Sequence, residues 1–502
     1  SQSTVDGNLT GDLALSSTSR LDLSSTGSII GNASITQSSV LNLDGVFRGD
    51  LAAKNTTTTS LLANADFTGD IDLTQSATLT TTDGSSILGE LTAQNTTAAT
   101  LDGDLTGDVN LSDDATLLVD DNSTVTGRLS LSDRTTATIE GQSTGDATLV
   151  DSAQLTVNGE FDGAIGLSNS SDAFINGLAS GDVTLANTTT LTVTGDLTGA
   201  VTAANGTLVT VTGTGFVNGN LTGSNTSVFN IAGIASGDGA FSNDAQLSVT
   251  GTLSGDTLTI SDTSDVNVTG TIQGLLGGSN ATTLSGTTAS LTVGLGATFT
   301  STLAASGTTT TTISGTATGA ATLTGDADLT VTGTGTLDGA LTASGTSSAS
   351  VAGTATGNAT LNNTAVLTVS GALTGSLDAN NGSTATVSGT LTGNFDLADT
   401  SALTVTGTAR GAGTLVGDAN LSVSGTLSGL SLSIADTSNV NVTGTLQGLL
   451  GGSNATTLSG TTASLTVGAG AVFTSTLAAS GTTTSTISGD ATGAATLTGD
   501  AD

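Results

Sequence analysis

The groups in this chain that could do acid–base or metal chemistry are almost all carboxylates. Forty-two residues are Asp or Glu, six are Lys or Arg, and there is no His and no Cys. Two adjacent acid pairs stand out, Asp113-Asp114 and Asp120-Asp121, the second followed by Asn122. Hard oxygens grouped in this way are calcium ligands. Asp113, Asp114, Asp120 and Asp121 are therefore the candidate metal residues, and calcium is the one cofactor the sequence suggests, in a weak surface or intercoil role. Neither a GGxGxD repeat nor an EF-hand loop surrounds them. Paired carboxylates also serve glycoside hydrolysis, which needs two of them facing each other across a sugar, one with a raised pKa. These pairs fall at expected corners, and with no Trp or Tyr and ten Phe there is little to form a sugar platform. Without His or Cys, the familiar nucleophilic triads and imidazole or thiolate metal sites are excluded. The expectation is a protein that is not an enzyme, with solvated acids at its turns.

The charge balance narrows the partners. The formal net charge is -36. Phosphate recognition needs Lys and Arg, so nucleic acid is not an expected partner. Anionic membrane surfaces are disfavoured for the same reason, and no apolar run approaches the ~20 residues of a membrane span. Of the six basic residues, Arg20, Arg48, Lys54, Arg128 and Arg134 fall within the first 140 positions and only Arg410 lies beyond.

The elements that must position these side chains are repetitive. Glycines recur in the context Thr/Ser-Gly-Asp/Asn/Ala at Gly11, Gly31, Gly49 and Gly69, onward to Gly237 and Gly255, and again from Gly319 to Gly429. Steps of about 18–20 residues are the scale of one solenoid turn. The unit from Gly181 to Gly199 shows the logic. Val183 and Leu185 alternate with Thr184, Leu191 and Val193 alternate with Thr192 and Thr194, and Leu197 stands alone between Asp196 and Thr198. Period-2 alternation marks strands with one buried face. Ala186–Thr189, Gly195 and Gly199 are the corners, where Gly, Asn and Asp tolerate sharp bends. One unit cannot bury its few aliphatics alone, but stacked units can. The predicted fold is an all-β parallel β-solenoid with coils of 18–20 residues and two to three short strands per coil. The usual crossover rule predicts that it is right-handed.

A longer repeat overlies the coils. The segment from Ser261 recurs from Ala435, and 55 of 60 positions match between Thr269–Asp328 and Thr443–Asp502. This divides one continuous solenoid into residues 1–140 with most basic side chains, 141–274 with regular coils, 275–448 as a long repeat and 449–502 as its partial second copy. The stretch from Leu275 to Gly315 interrupts the glycine register. Leu275-Leu276-Gly277-Gly278, matched by Leu449-Leu450, reads as a corner, a wider coil or a recurring contact surface. Asp502 has the phase of Asp328, after which a core strand follows, so the expectation is an array that continues or stacks end-on against another copy.

The Thr/Asn/Gly-rich coils resemble those of bacterial secreted β-helix proteins, namely filamentous-haemagglutinin-type adhesins and autotransporter passengers. Units such as LTVTGDLTGAV at 191–201 and ATVSGTLTGNF at 385–395 also resemble the bactofilin pattern of a strand, Gly-x-aliphatic-x-Gly, and another strand. The first resemblance implies a structural segment of an extracellular fibre or adhesin stalk at the cell surface. The second implies a cytoskeletal polymer. In both, the partners are other copies or further repeats of the chain, end-on or lateral. The length and the scarcity of Lys and Arg favour the extracellular reading. A third reading comes from Thr192/Thr194, Thr210/Thr212, Thr330/Thr332, Thr368/Ser370 and Thr404/Thr406, which resemble the outward T-x-T ladders of ice-binding solenoids; high β-propensity alone also places Thr on outer faces. Asn-x-Ser/Thr triplets such as Asn8-Leu9-Thr10, Asn55-Thr56-Thr57 and Asn280-Ala281-Thr282 are expected by chance in so Ser/Thr-rich a chain and matter only where the host glycosylates.

Overall fold

The structure is a computed structural model that describes residues 1–274, 280–429, 431–448 and 455–502. Two compact units are present, Ser1–Gly239 and Ala240–Asp502. Both are parallel β-solenoids, and no helix occurs among the described residues. Each coil contributes one strand to each of three sheets. In the unit read above, the third-sheet strand is Val183–Ala186, the first-sheet strand Thr190–Val193 and the second-sheet strand Asp196–Thr198. The short third side is thus a true strand, and Ala186 belongs to a strand, leaving Asn187–Thr189 as the corner.

Register is kept by pairing like with like. In the first unit Leu191 pairs with Val209 and Val193 with Val211 on the first sheet, Leu197 with Val217 on the second, and Val183 with Val201 on the third. In the second unit the same holds for Val369 with Val387, Leu373 with Leu391 and Leu377 with Phe395. A slip of one residue would turn every aliphatic to the outside, so the alternation itself enforces the stack. Phe47 and Phe67 lie at equivalent positions in successive coils and stack with centroids 4.9 Å apart and planes 2° from parallel. That geometry follows from the coil rise of about 4.7–4.9 Å.

Corners set the coil length. Gly181 has φ +133°, and a Cβ there would lie 2.2 Å from the carbonyl oxygen of Gly163, one coil earlier. The corner between third and first sheets uses polar residues in the left-handed region, such as Asn187 and Thr188 at φ 58° and 61°. Just inside that corner runs a column of small buried residues. Ala occupies it at Ala115 and Ala153, and Thr at Thr97, Thr135 and Thr189, whose hydroxyls are buried with no hydrogen-bond partner. Ser also fits, and Ser39 and Ser171 do bond, to the carbonyl oxygens of Thr36 and Leu149, so small size is the shared requirement and a hydrogen bond is optional.

First-sheet register steps are mostly 18–20 residues, as in Thr190 to Leu208 and Arg20 to Val40. They reach 25 from Asp265 to Ser290 and from Asn439 to Ser464, once in each copy of the long repeat. From Ala281 the chain again forms ordinary strands, Ala281–Ser285, Ser290–Val293 and Thr298–Thr300. The expectation for Leu275–Gly278 and Leu449–Leu450 concerns residues outside those described.

Two predictions follow from the inward and outward assignments. Val193 is fully buried and Thr192 partly exposed, so Val193→Asp should strongly destabilise the chain in denaturant melts while Thr192→Asp costs little. Equal losses would contradict the inward and outward assignment, and a larger loss from Thr192→Asp would mean that the faces are reversed. Thr135→Val exchanges an unpartnered buried hydroxyl for a methyl and should stabilise by about 1 kcal/mol; a loss of that size would show that the hydroxyl is hydrogen-bonded after all.

Candidate functional site

Asp113 and Asp114 occupy the corner between the strands Val109–Ser112 and Thr116–Val119. Asp113 is in the left-handed region at φ 64°. Its carboxylate accepts from the backbone N and Nδ2 of Asn95, one coil earlier, at 3.2 and 3.0 Å. Asp114 takes a two-pronged contact from Arg134, Nε to Oδ1 at 2.7 Å and Nη2 to Oδ2 at 2.9 Å. These hydrogen bonds hold its carboxyl below the usual carboxylate range.

Asp120 and Asp121 lie at the next corner, between Thr116–Val119 and Thr124–Thr126. Asp120 Oδ1 accepts from the Asp121 backbone N at 2.9 Å, and Asp121 Oδ1 from Asn122 Nδ2 at 2.8 Å. The intervening strand keeps the two pairs apart, the first bonded to neighbouring coils and the second within its own corner. Among the described residues no group of three or more Asp, Glu, His or Cys is placed to hold a metal ion.

The acids that follow the corner glycines have a role that residue spacing did not reveal. Many of them, with Asn at equivalent places, accept a backbone N–H from the next coil. Asn32 N donates to Asp12 Oδ1 at 3.0 Å, Asp50 N to Asn32 Oδ1 at 2.9 Å, Asp70 N to Asp50 Oδ1 at 3.1 Å and Glu90 N to Asp70 Oδ1 at 2.9 Å. The second unit repeats this with Ser376 N on Asn358 Oδ1 and Ala412 N on Asn394 Oδ1. Asn and Asp serve equally, since the bond needs only an oxygen acceptor. The signal in the sequence was the preference for Asp or Asn after Gly, but the partner lies a full coil away.

Where acids stack without such donors, they disturb one another. Asp378 and Asp396 face outward at the same position of successive third-sheet strands, Leu377–Ala379 and Phe395–Leu397. Partial burial, then the Asp396 charge, raises the Asp378 pKa. Burial likewise raises Asp72, helped by Asp70, Glu90 and Asp50. Asp72, Asp12, Asn32 and Asp50 line a shallow groove of about 330 Å³ on the third sheet of the first unit. A second groove, of about 390 Å³, crosses the first sheet of the other unit between Thr404, Ser422, Asn441 and Thr466 and has no ionisable lining.

The Thr pairs read from the sequence straddle a corner. Thr192, Thr210, Thr330, Thr368 and Thr404 face outward from first-sheet strands, but those strands end at Val193, Val211, Val331, Val369 and Val405. Thr194, Thr212, Thr332, Ser370 and Thr406 therefore lie beyond the strand, in the bend. The outward neighbours within the strands are Thr190, Leu208, Asp328, Val366 and Ala402, a mixed set. Sequence spacing of two does not distinguish two strand positions from one strand position and one bend.

The Asp378 environment gives a pH-dependent prediction. A carboxyl whose folded pKa is raised binds more protons in the native state, so its contribution to stability falls as pH rises from the unfolded value of about 3.9 through the higher folded value. Asp378→Asn should therefore stabilise the chain at neutral pH by a few tenths of a kcal/mol, the scale of one cross-strand pair, and the gain should vanish in melts below the carboxylate range. A gain that persists there would assign the effect to packing. No protein family model matches the chain, and no curated protein sequence matches it.

Proposed function

We propose that this chain is a structural, non-enzymatic segment of an extracellular fibre or adhesin stalk, with stacked coils supplying length and stiffness. The observation that supports this reading most directly is the in-register parallel pairing of all three strands from coil to coil within each unit. In the first unit thirteen first-sheet strands run from Gln2–Val5 to Val228–Ile231. At about 4.8 Å per coil, that unit contributes roughly 60 Å along its stack. Parallel pairing on three sides resists bending in every direction, and pulling along the stack loads the sheet hydrogen bonds of each coil together.

A net charge of -36 suits exposure on a surface where filaments must not bundle. The partners in this reading are further repeats or other copies of the same chain, docked end-on or laterally. Calcium enters this reading only as a weak surface or intercoil ligand of Asp113, Asp114, Asp120 and Asp121, whose carboxylates accept hydrogen bonds from Asn95, Arg134, the Asp121 backbone N and Asn122.

Labelling of intact cells of the source organism with antibodies to the chain tests the location, and negative-stain imaging of the isolated chain tests the shape. Surface labelling without permeabilisation, together with rods, is the expected result. Label that appears only after permeabilisation would overturn the extracellular role and favour a cytoskeletal polymer. Compact globules would overturn the stalk altogether.

A further inference from the structure

The second sheet of the unit Ala240–Asp502 carries a regular surface that the rest of the chain lacks. From Thr252 to Thr445 the first outward position of its strands is Thr in ten of eleven successive coils among the described residues, Ala372 being the exception. The column is in register: Thr252 pairs with Thr271, Thr298 with Thr316, and Thr316 with Thr336. A second column runs beside it through Thr300 and Thr318, its neighbour in the next coil. The first column holds no charged residue, and the second holds Asp338 and Arg410.

General β-propensity does not account for this. In the same eleven coils, the equivalent first outward position of the first sheet is Thr only at Thr310 and Thr384. In the unit Ser1–Gly239 the matching second-sheet column has Thr only at Thr124 and otherwise takes residues as different as Asp66, Glu160, Leu178 and Phe216. The same fold therefore tolerates almost anything at this position, and among the described residues one unit has filled it with Thr in ten of thirteen coils, Ala372, Val472 and Asp490 being the others.

Adjacent Thr residues along the column are one coil apart, about 4.8 Å, and the two columns are two residues apart, about 6.6 Å. The first column is a ladder of methyl and hydroxyl groups held on rigid backbone; within the strands of these eleven coils the second is Thr only at Thr300 and Thr318 and elsewhere takes residues such as Gln273, Asp338 and Arg410, so the grid is two Thr wide only there. A soluble ligand of ordinary size would need only a few of these positions. A partner that uses the whole first column is itself periodic, polar and uncharged. Crystalline water meets that description, with oxygen repeats close to the spacing along the column. Crystalline polysaccharide is periodic as well, but recognition of sugar rings relies on exposed aromatic faces. The chain has no Trp or Tyr, and Phe299, on the strand of Thr298 and Thr300, is buried.

We propose that this Thr column is an ice-binding face, a property separate from the structural role. The test is thermal hysteresis and ice shaping by the full chain. Hysteresis is expected for the parent and should be abolished by the triple change Thr316→Lys, Thr336→Lys and Thr354→Lys, with unchanged circular dichroism and melting, because these side chains point outward. Thr310→Lys with Thr384→Lys, on the first sheet, should leave hysteresis intact. If the three lysines disturb the fold, the corresponding three Thr→Ser changes remove only the methyl groups and should still weaken it. No hysteresis in the parent, full retention by the folded triple variants, equal loss from the first-sheet control, or binding to crystalline cellulose with exclusion from growing ice would each overturn the proposal.

Discussion

The hydrogen-bonded approach of each coil to the next is the constraint from which the rest of this structure follows. Parallel strands settle about 4.8 Å apart, and on three sides at once that distance leaves no freedom at the corners. A Cβ at Gly195 would lie 2.1 Å from the carbonyl oxygen of Gly177, so this corner admits no larger residue there, whereas coils of 20 residues hold Ala65, Ser85 and Ser123 at the equivalent place. The same rise decides the interior. Phe395 spreads over Gly413, its partner in the next coil, where a Cβ would meet the ring at 2.2 Å. At this level the glycine makes room for the ring, whereas Phe47 and Phe67 share the same rise by stacking face to face.

Polar groups at the corners obey the same spacing. An Asp or Asn after the corner glycine reaches the backbone N–H one coil on, and the Asn residues at the opposite corner bond to one another, as Asn225 Nδ2 does to Asn205 Oδ1 at 3.1 Å. These ladders explain how a chain this acidic remains compact. Many of its carboxylates are acceptors for fixed donors and not merely neighbours in a column of like charge. Arg20 and Arg134 relieve two further positions, pairing with Asp22 and Asp114. Asp378 over Asp396 shows the alternative, a raised pKa where neither donor nor cation intervenes.

Because inward residues and corners are dictated so closely, variation is confined to the outer faces, and function must be sought there. The units Ser1–Gly239 and Ala240–Asp502 share the coil but differ outside it. The first carries most of the cations and a mixed second-sheet face, and the second has a nearly uniform Thr column. A scaffold of this kind separates the task of holding its shape from whatever its faces meet.

The alternation of Val183, Leu185, Leu191, Val193 and Leu197 was enough to read the fold class, the coil length and which side chains point inward, because period-2 patterning and a repeated glycine leave few other ways to bury aliphatics. The roles of individual polar residues were not legible. Spacing grouped Asp113-Asp114 with Asp120-Asp121 as weak calcium candidates, but a strand lies between them, and the donors to Asp113 and Asp114, Asn95 and Arg134, come from neighbouring coils. Spacing paired Thr192 with Thr194, but the strand ends at Val193 and the second Thr falls in the bend. The Thr column from Thr252 to Thr445 and the partners of Asp12 and Asp70 lie one coil apart, 18–20 residues in sequence for most of its length. Local sequence determined the strand; only stacking decided which residues became neighbours, because every contact that distinguishes one face from another is made between coils.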